Sequence, residues 1–210
     1  KTAINIEHKN NQIYFHDGSI VKYKKLFSTL PLKKLLKLMD NVPKLVQNAS
    51  NKLKSNKFVL VHIGIDRPDI TKKTWIYFSD KDISFIRISF PGNLSKNCVP
   101  QGCSSIQVEL SFGPDDDLPS PVERVIPHVI NDLIKIGILK TEDKILFAKT
   151  SSIENAYVIF DHNRKAAIKI IHNYLEEKNI IPFGRYGQWA YLWSDEAIMD
   201  GRNVAIKELK

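Results

Sequence analysis

The stretch GRYGQWAYLWSDEAIMDG, residues 184–201, sets two glycines around an arginine and places four aromatics in eight positions. A serine and an acid then open a helical pattern. Read physically, a strand enters Gly184, the chain turns at Gly187, and a helix runs over 195–209 with Ser194 as its N-cap. A helix N-terminus carries unpaired N–H groups and about half a positive charge, so electron-rich groups bind there. Ala197, Gly201 and Ala205 recur every four residues and so share one helix face. A mid-helix glycine costs about 1 kcal/mol relative to alanine. Close approach by a neighbouring element or by a ligand accounts for that cost equally well. Arg185 has the chemistry to clamp a phosphate. Trp189, Tyr191 and Trp193 suit either a flat ligand or a core.

Around this stretch the chain has the composition of an ordinary globular protein, with 43% hydrophobic and 26% charged residues in 210. No apolar run approaches the roughly 20 residues that span a bilayer. The chain opens on Lys1-Thr-Ala-Ile with no secretory pattern and no initiator Met. The expectation is therefore a cytoplasmic location and a piece of a longer protein. The net charge of +8 is uneven: residues 1–60 hold twelve lysines, no arginine and three acids, and the other 150 hold 19 basic and 20 acidic groups. Scattered among Asn, Ser and apolar residues, these lysines form no nucleic-acid signature, and no nucleic acid is expected as partner. Cys98 and Cys103 are the only cysteines and the six histidines are dispersed, so no metal is assigned.

Periodicity orders the rest. Ala3, Ile4 and Ile6 pair with Ile13 and Phe15 across a polar turn, and Asp17-Gly18 leads to another strand through Ile20, Val21 and Tyr23. KLFSTLP reads as a buried strand, then LKKLLKLM and VPKLVQNASNKL have helical spacing. KFVLVHIGI, TWIYFS, SFIRISF and SIQVELSF are successive strands of an antiparallel sheet. SPVE at 120–123 reads as a capping box before a helix that Gly137 ends, with Pro127 implying a kink or a later start. KILFAKTSSI and AYVIFD are further strands, 163–178 a helix, and IIPFGR a last short strand. The order is α+β rather than a regular βαβ alternation.

Residues 184–201 resemble the C-terminal flavin-contacting motif of the flavin-containing amine oxidoreductases and protoporphyrinogen oxidase-like proteins, including the UDP-galactopyranose mutases. FHDGSIVKYKKLFSTLPLKKL resembles their passage from an FAD-domain strand into the substrate domain. FIRISF and VELSF resemble the mutase arginine strand and the glutamate strand after it, and NAYVIFDHNRKA a tyrosine-rich segment before a helix. The resemblance implies an antiparallel (mixed) sheet substrate-binding domain with flanking helices, over 32–182. Residues 1–31 and 183–210 would be fragments of a Rossmann-like FAD-binding domain.

The same resemblance implies a cofactor wall of Gly184, Arg185, Ser194, Asp195, Glu196 and Gly201. It implies a substrate edge of Arg87, Glu109, Tyr157, Arg185, Tyr191 and Trp193, with Tyr157 and Tyr191 holding a diphosphate by their hydroxyls. No catalytic residue is assigned. Trp193 stands where the mutases have an aspartate, and Ser89-Phe90-Pro91 replaces a charged run. The family's G-x-G-x-x-G fingerprint is absent among the nine glycines.

The expected partners are thus an N-terminal dinucleotide-binding half of the same protein and a small-molecule substrate. The fragment by itself would bind FAD poorly or not at all. Three activities fit: an FAD-dependent oxidoreductase, a mutase-like isomerase acting on a nucleotide sugar through reduced FAD, and a non-catalytic anion-binding domain.

Overall fold

The computed structural model describes residues 1–208; the last residue of the expected terminal helix, 209, lies outside them. In chain order come strands β1 (Ala3–Glu7), β2 (Gln12–Phe15), β3 (Ile20–Lys22) and β4 (Leu26–Ser28), then helices α1 (Leu32–Leu38) and α2 (Lys44–Lys52). There follow β5 (Lys57–Ile65), β6 (Trp75–Tyr77), β7 (Arg87–Ser89), the single turn α3 (Pro91–Leu94), β8 (Ser104–Phe112), α4 (Ile126–Lys135) and β9 (Ile145–Ile153). The chain closes with α5 (Arg164–Glu176), β10 (Ile180–Pro182), the single turn α6 (Gly184–Gly187) and α7 (Ser194–Glu208). The α+β expectation, with a mixed set of strands, is met.

These elements form two compact units. One comprises Lys1–Ser55 with the chain from Tyr157 onward, and the other is Asn56–Ala156. The divisions expected at 31/32 and 182/183 do not coincide with these limits, because α1, α2 and α5 share a core with the first strands. In the first unit β1, β2 and β3 make an antiparallel meander with Ala3 opposite Phe15 and Ile6 opposite Ile13, while Ile4 falls at an irregularity of the ladder and is exposed. Separately, β10 lies parallel to β4. Leu32, Leu35 and Leu36 of α1 and Val46 and Ala49 of α2 pack with Ala167, Ile171 and Leu175 of α5. The leucine stripe of α1 is thus a core face.

In the second unit five antiparallel strands follow the order β6-β7-β8-β5-β9. Val59, Val61, Ile63 and Ile65 of β5 are fully buried with Ile106 and Val108 of β8, Val129 and Leu133 of α4. Each such aliphatic side chain contributes about 1.5–3 kcal/mol on burial, so this layer outweighs any single polar contact around it. The alternate residues of β7, β8 and β5 (Arg87, Glu109 and Leu60 in one row; Ser89, Gln107 and His62 in the next) point to the opposite face.

Two expectations fail locally. Ser120 makes no cap: 122–125 winds as a 3₁₀ turn, the α-helix starts at Ile126, and Glu123 accepts a hydrogen bond from the Thr150 hydroxyl (3.2 Å). This late start places Pro127 in the first turn, where its missing N–H has no acceptor to lose. AYVIFD is not a strand, since only an isolated bridge joins Val158 to Ser55. With no ladder along its length, its alternation has nothing to pair with.

One ion pair braces the second unit. Arg67 donates from Nε and Nη2 to the two carboxylate oxygens of Asp143 (2.6 and 2.7 Å). The bidentate bond, working against burial, holds the Asp143 carboxyl below its ordinary range. Asp143→Asn should destabilise this unit by about 2 kcal/mol at neutral pH, read by urea unfolding. Because the folded pKa is depressed, the stabilisation is present above about pH 4 and lost as pH falls through the folded value. The variant should therefore show a flatter stability curve in acid.

Candidate functional site

The pairing of β4 with β10 fixes the entry to residues 184–201. Phe183 N–H continues that pairing by donating to the Ser28 carbonyl (2.9 Å), and Gly184 follows with φ +70°. A left-handed residue here is why glycine is needed. The Gly184 N–H donates to the Asp200 carboxylate (2.6 Å), tying the start of the segment to the second turn of α7. Gly187 is required for a different reason: a Cβ there would sit 3.0 Å from both the Pro182 carbonyl carbon and the Ser28 carbonyl oxygen. Instead of a simple turn at Gly187, the chain makes the short helix α6 and then runs irregularly to α7.

Arg185 leaves α6 into a cage of tyrosines. Its guanidinium carbon lies 4.6 Å from the Tyr191 ring centre, 5.1 Å from Tyr157 and 6.0 Å from Tyr186. Its Nη1 donates to the Leu192 carbonyl (3.0 Å). The Tyr157 and Tyr191 rings are 5.2 Å apart, and Trp193 stands edge-on to Tyr191 at 6.4 Å. Tyr191 is 44% exposed and Trp193 68%, so the cage opens to one side. Three of the expected substrate-edge residues, Tyr157, Arg185 and Tyr191, are therefore brought together, with Trp193 at their margin. A planar cation stacked on aromatic faces is held in orientation. It can meet an anion with its edge while the rings offer flat apolar surface.

The remaining expected residues fall into two groups. Ser194 is not the N-cap: it is the first helical residue, and Trp193 occupies the cap. The Trp193 carbonyl receives the Ala197 N–H (2.9 Å), and its N–H donates to Glu196 (2.7 Å). This is the reciprocal half of a capping box, read one residue late in the sequence. Ser194, Asp195 and Glu196 are exposed and contribute the three first-turn N–H groups, which have no intrahelical acceptor. Gly201 meets the Phe183 ring, 3.4 Å from where its Cβ would stand.

Arg87 and Glu109 belong to the other unit, cross-strand neighbours on β7 and β8. Arg87 Nη2 donates to Glu109 Oε1, and Nη1 donates to the Tyr77 hydroxyl (3.1 Å). Glu109 is 3% exposed, yet its Oε2 has no partner among the described residues.

For Trp189 the core is the outcome of the two readings, while Arg164, His172 and Asp200 escaped sequence reading. Trp189 is fully buried with φ +47°, so it serves the core rather than a ligand. Its carbonyl accepts from Arg164 Nε (2.7 Å), whose guanidinium stacks on Phe160 at 4.1 Å. His172 of α5 bonds the Gly187 carbonyl (3.0 Å), and burial pushes its ring below its ordinary pKa. Asp200, Arg164 and His172 are spaced 16, 25 and 15 residues from their partners, so no local motif announces them.

No protein-family model matches the chain. Among solved structures it is similar to reduced UDP-galactopyranose mutase, with 24% identity over 90% of this chain and 41% of that one, TM-score 0.81. A protoporphyrinogen oxidase-like protein of Exiguobacterium matches over 95% and 44% at 13% identity, TM-score 0.68. A putrescine oxidase redesigned at its cofactor site matches over 98% and 47% at 10% identity, TM-score 0.69. The chain shares its fold with these structures. It spans less than half the length of each of these structures. Among the described residues no helix is long and apolar enough to cross a membrane.

Gly187→Ala tests how the segment is held. Both atoms its Cβ would meet are backbone, so neither can rotate away. The variant should lose about 1–3 kcal/mol of stability, measured by thermal or urea unfolding. Gly18→Ala is the comparison: that glycine has open space around it but φ +79°, so it should lose only about 1 kcal/mol.

Proposed function

We propose that this chain supplies one wall of a cytoplasmic FAD-dependent enzyme of the oxidoreductase and mutase class, with Arg185 holding an anionic substrate. The observation that carries this reading is the tyrosine cage around Arg185. Tyr157 and Tyr191 hold the rings within 5.1 Å of a permanently charged group, which suits a diphosphate next to a planar base or sugar.

FAD is the cofactor of the reading, and the residues present fit one side of it. The first turn of α7 offers three unsatisfied N–H groups to an electron-rich edge, and Gly184 lets the backbone pass closely. The phosphate-cradling glycine fingerprint is not in this chain, so the reading assigns that part to an N-terminal dinucleotide-binding half of the same protein. The exposed apolar residues of α7, Ile198 at 72%, Met199 at 46% and Ile206 at 42%, support such a partner. When bound, FAD supplies hydride or nucleophilic chemistry. The chain's own groups bind and orient: Arg185 neutralises substrate charge and the tyrosines fix its plane.

A nucleotide sugar is the substrate class that the arginine and tyrosines favour, with ring isomerisation as the reaction. A net oxidoreductase is the second reading, favoured by Trp193, whose large exposed ring stands where a carboxylate would serve a sugar.

The full-length protein, purified with its flavin and reduced with dithionite, should isomerise a UDP-sugar. Arg185→Gln should weaken UDP binding by about tenfold to a hundredfold and leave the flavin spectrum intact. Turnover only with dioxygen and an amine would shift the assignment to the oxidoreductase. A colourless full-length protein, or unchanged UDP affinity in Arg185→Gln, would sink the reading.

A further inference from the structure

Arg164 carries a charge that no carboxylate among the described residues answers. It is the first residue of α5 and is partly buried. Its Nε donates to the Trp189 carbonyl (2.7 Å), and its guanidinium carbon lies 4.1 Å from the centre of the Phe160 ring. These two contacts orient the group. They leave both Nη nitrogens, four of its five N–H donors, without a hydrogen bond among the described residues.

Elsewhere the chain meets a partly buried guanidinium with a carboxylate, Arg67 with Asp143 and Arg87 with Glu109. Taking a charge out of water is costly unless it is paired. Burial lowers the Arg164 pKa, and no neighbouring acid acts against it. Asp161, three residues away, instead accepts from the backbone N–H groups of Asn163 and Arg164 (3.1 and 2.9 Å). Bracing the Trp189 carbonyl is a structural role that accounts for Nε alone. It does not use the Nη edge, and Phe160 beside that edge is 63% exposed, so the stack lies where a ligand reaches it.

Arg164 and Arg185 clamp the same run of chain, one at the Trp189 carbonyl and the other at the Leu192 carbonyl. Three residues span at most about 11 Å even when fully extended. The Ala190 N–H, donating to the Arg185 carbonyl (2.8 Å), folds this run back. Phe160 and Tyr157, on whose rings the two guanidiniums lie, are also only three residues apart. A ligand held by Arg185 thus has a second guanidinium close by. An oriented fork matches the two oxygens of a planar carboxylate, and its single charge matches a single negative charge. The Phe160 ring beside it offers a flat apolar surface to a sugar ring. Resting on the reading of Arg185 as the site of a substrate diphosphate, we propose that Arg164 binds a carboxylate on the sugar, so that the substrate class is a nucleotide-linked sugar acid.

Calorimetric titration of the full-length protein, carrying its flavin, with UDP-galacturonate and with UDP-galactose tests this. The two differ only in a carboxylate or a hydroxymethyl group on the sugar, and the acid should bind about tenfold tighter. In Arg164→Gln that ratio should fall to about one. Because it is a ratio, any loss that both ligands share through the Trp189 carbonyl cancels. Arg164→Lys keeps the charge without the fork and should give a ratio of about three; should Arg164→Gln not fold, this variant decides. Lys165→Gln removes an equal charge from the adjacent exposed residue and should keep the wild-type ratio. Equal affinity of the wild-type protein for the two nucleotides overturns the proposal and leaves the reading of Arg185 standing. So does an undiminished ratio in the Arg164 variants, or an equal fall in Lys165→Gln. A wild-type protein that binds neither nucleotide overturns the reading of Arg185, and the proposal with it.

Discussion

The parallel pairing of Leu26–Ser28 with Ile180–Pro182 is the constraint on which the candidate site rests. It joins strands about 150 residues apart in sequence, and both are only three residues long. So short a ladder cannot hold itself; burial of Ile180 in the leucine core of α1, α2 and α5 supports it. Once the pairing is made, little freedom remains downstream. The Ser28 carbonyl takes the Phe183 N–H and is also the atom against which Gly187 packs. Arg185 lies between those two residues, so its position follows from backbone contacts rather than from its own side-chain bonds.

The second unit is accommodated as an insertion between these strands. The chain leaves the first unit after Ser55 and re-enters it at Tyr157. At that junction Val158 bridges Ser55, and the Ile159 N–H donates to the Lys54 carbonyl (2.9 Å). The two passes of the chain are thus held side by side in the first unit. Closing a long loop costs free energy only as the logarithm of its length. A hundred inserted residues are therefore tolerated, provided that they form their own core. The valine and isoleucine layer of β5 and β8 under α4 supplies it.

This division explains what could be read from the sequence. Strands and helices with a clear apolar period were legible, among them KFVLVHIGI, SIQVELSF and the helix over 163–178, because burial of one face decides them. AYVIFD was misread because its alternation looks like a strand while its place at the junction offers no ladder. SPVE was misread because a capping box is a local signal, and Pro127 moved the helix start past it. Arg185, Tyr157 and Tyr191 were named as one group through a family resemblance; no spacing along the chain relates 157 to 185. The contacts of Arg164, His172 and Asp200 depend on how α5 and α7 pack around the segment, which no short window of sequence encodes.

The remaining departures from ordinary folding rules are themselves informative. Trp189 is a fully buried, left-handed, non-glycine residue with an indole N–H that has no partner among the described residues. Glu109 is a carboxylate at 3% exposure with one oxygen unbonded. Strain or an orphaned polar atom costs on the order of 1–3 kcal/mol each, and a chain selected for stability alone would shed such costs by substitution. Both departures lie next to arginines: Trp189 accepts from Arg164 four residues beyond Arg185 along the chain, and Glu109 is bonded to Arg87. Packing requirements explain the leucines and valines, but they do not explain a half-bonded carboxylate under an arginine. Trp189 meets its cost within the core of the first unit, whereas the half-bonded Glu109 is a departure of the kind expected where a site is held ready for a ligand.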